Sequence, residues 1–349
     1  DGLYRYGAVS GLDALKNAIA DELRGHARAM PDIEGKRNVL IGAGATHALS
    51  CVARVTLEPG DDVLLLAPYW PLAHGIIQAT GARAVEVPFT NRLYADPAIG
   101  AGDIVREALT PKTRAIYLIT PNNPDGKVLT REQLSSVAAV ACEKDLWVIA
   151  DECYADFTFG VPHISIASLP GMAERTMSAY SFSKSHALAG ARVGCVVGPP
   201  EIVAAAQRVS THTVFNVPVL MQHAAVAALQ AGPRWTERAL LIYRHSLDAA
   251  IEALKGSRIR FSPAEGGAYL FLDFTDVLED KSLGFLLQRA IERGVLIAPG
   301  EAFGLAYAKW GRLCFTAVPL PQLLEGISRL RVAVDRLHAP PGSSPPSKR

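Results

Sequence analysis

One lysine in this chain stands in a setting that invites chemistry. The stretch Ser181-Phe182-Ser183-Lys184-Ser185-His186-Ala187-Leu188-Ala189-Gly190-Ala191-Arg192-Val193-Gly194 follows an apolar run, Met177 to Tyr180, and sets Arg192 eight positions after Lys184 among small residues. An ammonium in confined surroundings releases its proton more readily than a solvated one, and the free amine attacks an aldehyde. Lys184 in that state would do Schiff-base chemistry. A solvated lysine in a turn after a strand is the alternative, so its partners must be sought elsewhere in the chain.

Other apolar runs end in polar groups. Trp147 to Ala150 leads into Asp151-Glu152-Cys153-Tyr154. Asp151 is either a cap or turn residue, or a buried carboxylate that needs a cationic partner such as a pyridinium nitrogen. Ala115 to Thr120 runs into Pro121-Asn122-Asn123-Pro124-Asp125-Gly126, a stiff turn that holds the Asn123 amide in place, although ordinary Asn-Pro turns are common. Ala67-Pro68-Tyr69-Trp70 ends a further run with an aromatic shelf that suits a flat ring or a core. Gly42-Ala43-Gly44-Ala45-Thr46-His47-Ala48 follows a strand and opens a helix, so the amides of Gly44, Ala45 and Thr46 face an anion. It departs from the dinucleotide pattern G-x-G-x-x-G, because His47 holds the third glycine position and no acidic residue ends the next strand. A monophosphate cradle is the reading that remains. Ser181-x-x-Lys184 also matches the serine-lysine motif of β-lactamases, but its companion motifs are missing and Lys112-Thr113-Arg114 is the nearest approach. Neither Gly-x-Ser-x-Gly nor His-Glu-x-x-His occurs.

The elements that must position these residues follow from apolar spacing. Leu12, Leu15, Ile19 and Leu23 give a helix within 12–29. Apolar runs at 39–41, 63–67, 84–89, 115–120, 147–150, 177–181 and 192–197 alternate with helical stretches at 46–57, 131–144 and 201–209. That rhythm predicts an α/β fold with a mostly parallel seven-stranded sheet flanked by helices, whose ligands collect at the carboxyl ends of the strands. Past Gly232-Pro233 the alternation stops: a helix over 234–254, strands at 258–262 and 268–274, a helix over 281–293, strands near Val295 and Leu313, and a helix over 320–337 predict a smaller α+β domain. The expected organisation is a large cofactor-binding domain over 1–232, a small domain over 233–338 and a disordered tail over 339–349, rich in Pro and Ser. Lys plus Arg, 35, balances Asp plus Glu, 34, which recruits neither nucleic acid nor an anionic membrane. No apolar run has the length of a membrane span and no leader pattern is present. The five scattered cysteines lack any C-x-x-C pair, which points to reduced thiols, a cytoplasmic setting and no metal site.

Taken together, the motifs Asn-Asn-Pro-x-Gly, Asp-Glu-x-Tyr and Ser-Phe-Ser-Lys with Gly-x-Arg-x-Gly, then a late Arg-Leu strand, resemble the class I/II aminotransferases, the aspartate-aminotransferase-like group of fold type I pyridoxal-phosphate enzymes. The resemblance runs from about Tyr6 to Leu337. It implies pyridoxal 5′-phosphate held by Lys184 as an aldimine, with Asp151 on the ring nitrogen and Tyr154 and Asn123 on the phenolic oxygen. Trp70 would stack on the ring; Gly44, Ala45, Thr46, Ser181 and Arg192 would hold the phosphate; and Tyr6 would reach the phosphate of a partner subunit in a homodimer. Arg312, with Asn123 and Trp70 beside it, would bind the substrate α-carboxylate. Two departures stand out. Where the family has Asn-Pro-Thr-Gly this chain has Asn123-Pro124-Asp125-Gly126, a carboxylate expected at the turn edge and able to alter the charge of the pocket. The arm that the family carries ahead of Tyr6 is mostly missing from a chain that opens at Asp1, so an incomplete N-terminus is expected.

The resemblance implies ping-pong transfer of an amino group between an L-amino acid and a 2-oxo acid. No Arg or Lys occurs between Ser210 and His223 to take a distal carboxylate, which leans the donor towards neutral or aromatic side chains. Alternatives are a β-eliminating or cyclising enzyme of the same fold, a non-catalytic cofactor-sensing module, and a serine-lysine hydrolase acylated at Ser181.

Overall fold

The computed structural model describes residues 3–338 other than 26, 27 and 97. The tail expected over 339–349 lies outside the described residues. Seven strands, β1 (Val39–Ala43), β2 (Asp62–Ala67), β3 (Arg83–Pro88), β4 (Thr113–Ile119), β5 (Trp147–Asp151), β6 (Thr176–Ser181) and β7 (Val193–Val197), form one sheet in the order β1-β7-β6-β5-β4-β2-β3. Strands β2 to β6 pair in parallel, whereas β7 runs antiparallel to both β6 and β1. Helices cover both faces, so alternate residues of one strand enter different cores. Val63, Leu65 and Ile149 join one buried cluster, while Leu64, Leu66, Ile116, Leu118 and Val148 join the other. Continuous apolar runs are therefore what these strands require. The edge strand β3 is more polar; its Arg83 lies exposed and clamps Asp62 through two hydrogen bonds of 2.7 and 2.6 Å.

Helix starts obey local chemistry. Thr130 caps the Arg131–Glu143 helix: its Oγ1 accepts the Gln133 N–H at 3.2 Å while Gln133 Oε1 accepts the Thr130 N–H at 2.9 Å. The Ala45–Thr56 helix behaves differently. It starts at Gly44 with no side-chain cap, so its first N–H groups stay available to a ligand.

A second, four-stranded antiparallel sheet contains β8 (Arg260–Phe261), β9 (Tyr269–Asp273), β10 (Ala298–Pro299) and β11 (Trp310–Cys314), in the order β10-β11-β9-β8. Leu247, Leu270, Leu272, Leu286, Leu313 and Leu330 build its own core with the Arg234–Leu254, Leu283–Ile291 and Leu320–Asp335 helices. The opposite face carries Phe271, which with Phe303 and Tyr307 joins a cluster containing Val63, Tyr117 and Ala179 of the large sheet. The two sheets thus meet through apolar packing, and period-two alternation places Arg312 on the face of β11 that looks toward the large sheet. We propose a domain boundary between 232 and 233; the helix that opens at Arg234 buries Leu247, Ala250 and Leu254 in the second core.

The sequence-derived bounds shift where prolines intervene. The strand expected over 258–262 shortens to β8, ahead of Pro263, and the strand expected near Val295 is the two-residue β10, whose Pro299 has no N–H to continue a ladder. Arg192, expected to begin a strand, instead adopts a left-handed conformation with φ 54° just ahead of β7. Among the described residues no helix is long and apolar enough to cross a membrane.

Candidate active site

A cleft of about 320 Å³ opens at the carboxyl ends of β4, β5 and β6, facing β9 and β11 of the small sheet. That volume is in the range of small-ligand pockets. Ala45, Thr46, Trp70, Asn123, Asp151, Tyr154, Ser181, Lys184, Arg192 and Arg312 all line it, so the strand-end groups singled out by the sequence share one space.

Asp151 ends β5 and is 6% exposed. Tyr117 Oη donates to its Oδ2 at 3.1 Å, and the Cys153 N–H donates to its Oδ1 at 3.1 Å. Burial pushes its pKa up in spite of these donors, because nothing cationic offsets the lost hydration. Glu152, the next residue, points the other way, into a smaller cavity of about 60 Å³ behind the strand. Its fully buried carboxylate accepts from Ser165 Oγ at 2.7 Å and Tyr180 Oη at 2.6 Å, and it lies 3.2 Å from His163 Nε2.

Lys184 sits in the Phe182–Ser185 helical turn after β6. Its Nζ lies 5.8 Å from the centroid of the Tyr154 ring and makes no hydrogen bond or ion pair among the described residues. The Tyr154 hydroxyl lies 2.9 Å from the Tyr269 hydroxyl, and burial lifts its pKa well above the ordinary phenol range. Across the cleft, Arg312 Nη1 donates to Asn123 Oδ1 at 2.7 Å, while its guanidinium carbon stands 4.1 Å from the Tyr269 ring centroid and 4.9 Å from that of Phe303. Arg312 Nε is buried and has no hydrogen-bond partner among the described residues.

The loop after β4 is clamped to the connection between β8 and β9. Gly126 O accepts the N–H groups of Glu265 and Gly266, both at 2.9 Å, and Lys127 Nζ reaches Glu265 Oε1 at 3.1 Å. Gly126 has φ +68°, and a Cβ there would stand 2.5 Å from Ala264 Cβ, so only glycine permits this approach. Asp125 does not sit at an exposed turn edge and does not line the cleft, so the expected effect on pocket charge is corrected. It is 8% exposed; its Oδ1 accepts the Lys127 N–H at 3.0 Å and its Oδ2 has no partner among the described residues. Burial raises its pKa to about 6. Tyr6 is not brought to the cleft of its own chain; it is 85% exposed, with its ring edge-on to Phe215 at 5.1 Å.

The amino-acid sequence matches the family Aminotransferase class I and II over residues 1–330. The chain belongs to the class I and II aminotransferases. Among relatives of this aminotransferase, the arginine–pyruvate transaminase AruH of Pseudomonas aeruginosa is 36% identical over 318 residues, covering 89% of this chain and 78% of the relative. The aspartate aminotransferase of Musicola paradisiaca is 32% identical over 323 residues, covering 90% and 78%. Among solved structures, the aromatic aminotransferase from Pyrococcus horikoshii superposes with a TM-score of 0.90 at 28% identity, covering 96% of this chain and 88% of that one. The fold is the fold type I architecture of these enzymes.

The family implies pyridoxal 5′-phosphate, and the cleft fits that group. The uncapped start of the Ala45–Thr56 helix, with Thr46, Ser181 and Arg192 on the same wall, suits a phosphate. A Cβ at Gly44 would stand 2.5 Å from Arg192 Nη2, so glycine alone lets the guanidinium lie against this loop. Asp151, buried without a cation, suits a protonated ring nitrogen, and the unpartnered Arg312 Nε suits a carboxylate oxygen. Sequence reasoning missed Tyr117, Cys153 and Tyr269. The first two meet Asp151 through sheet register and a tight turn; Tyr269 read as an ordinary strand residue, and only its place on the same face of a strand paired with that of Arg312 signals the contact.

Proposed function

We propose that this chain transfers an amino group between an L-amino acid with a neutral or aromatic side chain and a 2-oxo acid, by ping-pong kinetics. The observation that carries the reading is the convergence of Lys184, Asp151 and Arg312 on one cleft, each a different charge requirement of the reaction. When bound, pyridoxal 5′-phosphate supplies an aldehyde for the amine and a ring that accepts the electrons released at the substrate α-carbon. Lys184 Nζ is the nucleophile and then carries the proton to and from that carbon. Asp151 would hold a protonated ring nitrogen, and Tyr117 and Cys153 hold its carboxylate in line. Tyr154 and Asn123 donate toward the phenolic oxygen, with the Asn123 amide free to do so because its Oδ1 already takes Arg312. Trp70, which lines the cleft, would offer its indole face to the ring. Gly44, Ala45, Thr46, Ser181 and Arg192 hold the phosphate.

Arg312, which lines the cleft, grips the α-carboxylate. Trp70, Leu49, Ile119 and Tyr269 give the rest of the wall an apolar and aromatic character, and the remaining cations, Lys184 and Arg192, have other tasks. This supports a neutral or aromatic donor over a dicarboxylic one. Exposed Tyr4, Tyr6, Phe215 and Leu220 support a homodimer in which Tyr6 serves the neighbouring subunit, and five free thiols suit a reducing, cytoplasmic compartment.

Borohydride reduction of the cofactor-loaded protein tests the reading. The cofactor mass is expected on the peptide carrying Lys184, a Lys184→Ala variant is expected to lose at least about 10³-fold in turnover, and a panel of amino acids should yield 2-oxo acids. A variant as active as the parent, or elimination or cyclised products from every donor, would overturn it.

A further inference from the structure

We propose that Tyr269 is a positioning residue that couples the carboxylate-binding arginine to the tyrosine facing the cofactor. The inference rests on the reading above. Tyr269 opens β9 in the small sheet and lines the cleft beside Arg312. It has two attachments. Its ring lies under the Arg312 guanidinium at 4.1 Å, and its hydroxyl lies 2.9 Å from the Tyr154 hydroxyl of the large domain. The rings of the two tyrosines meet edge to face, with centroids 5.9 Å apart. Since Arg312 also donates to Asn123 at 2.7 Å, the groups form a chain across the cleft that runs Tyr154, Tyr269, Arg312, Asn123.

The direction of the hydroxyl contact decides the consequence. A phenol has one proton to donate. If Tyr154 is to donate toward the cofactor's phenolic oxygen, it must accept from Tyr269, so Tyr269 Oη is the donor. A hydroxyl that accepts one hydrogen bond donates the next more strongly, because the two polarise each other in a site of low dielectric. Tyr269 therefore sharpens the donor strength of Tyr154. Its ring has a separate effect: together with Phe303, whose ring centroid is 4.9 Å from the same guanidinium carbon, it limits the rotamers of a guanidinium whose Nε has no hydrogen-bond partner among the described residues.

Two substitutions separate these effects. Tyr269→Phe keeps the ring and removes the donor. The pH midpoint of the visible absorbance of the bound cofactor should rise, by roughly half a unit, with KM for the amino donor within about twofold of the parent. Tyr269→Leu removes both, and KM should also rise about 3- to 10-fold, the range of a partly buried cation–π contact. A Tyr154→Phe/Tyr269→Phe double variant should show no further absorbance shift beyond Tyr154→Phe alone. An unchanged or lowered midpoint in Tyr269→Phe, or additive shifts in the double variant, would overturn the inference while a titrating parent chromophore left the underlying reading intact. A parent that binds pyridoxal phosphate without any visible band would sink both.

Discussion

Asp151 and Glu152 are neighbours in sequence, both carboxylic acids and both buried, yet the protein treats them in opposite ways. Glu152 is enclosed by hydroxyls and an imidazole that answer both of its oxygens. Asp151 has only the Tyr117 hydroxyl and a turn of its own chain, and its remaining side opens on the cleft. One step along a strand reverses the direction of a side chain, so a single dipeptide supplies a structural carboxylate to one face and a reactive one to the other. The difference separates a group satisfied by folding from a group held ready for a ligand.

Substitutions should split along this line. Asp151→Asn is expected to cut turnover by about 10² to 10³-fold, the size of removing one preorganised electrostatic contact, while the melting temperature of the cofactor-free protein holds or rises because a buried charge has gone. Equal losses of stability and activity would break the comparison. Glu152→Ala should do the reverse. It removes the carboxylate that Ser165 and His163 face in the interior, leaves Tyr180 only the Arg28 carbonyl, and should cost about 3 kcal/mol in denaturant unfolding, with the spectrum of the bound cofactor unchanged.

Asp125 sharpens the contrast, being a buried carboxylate that belongs to neither kind. Its pKa of about 6 in the folded chain stands above the ordinary 3.8. The folded state thus binds the proton more tightly, and this contribution to stability is full below about pH 4 and is lost as pH rises through about 6. Asp125→Asn, which cannot ionise, should widen its stability advantage over the parent by roughly 2 kcal/mol between pH 4 and pH 7. Parallel stability curves would show that the carboxylate is not held in the buried setting described for it.

Much of this was legible in the sequence because it is local. Apolar runs of three to six residues marked all seven strands of the large sheet, and those at 115–120, 147–150 and 177–181 lead into the cleft residues Asn123, Asp151 and Lys184. The strand order was not legible, since Val193–Val197 is equally apolar whether it lies parallel or antiparallel to its neighbours. The same limit applies to the site. Lys184, Asp151, Asn123 and Arg192 announce themselves through short motifs, whereas Tyr117 reaches Asp151 from 34 residues away and Tyr269 reaches Tyr154 from 115. Nothing in either tyrosine's flanking residues records those meetings. Asp125 was misjudged for a related reason: a polar turn residue is normally solvated, and here Glu265 and Gly266, in the connection between β8 and β9, close over its loop.

The half-open fork of Arg312 has a practical side. With Nη1 engaged by Asn123, the part of the guanidinium that lines the cleft is offered to any carboxylate small enough to enter, whether or not that molecule carries an amine. Acetate, citrate or formate in an assay buffer would compete for it and inflate the apparent KM of every donor alike, so comparison of substrates should be made in chloride with amine-free, carboxylate-free buffers.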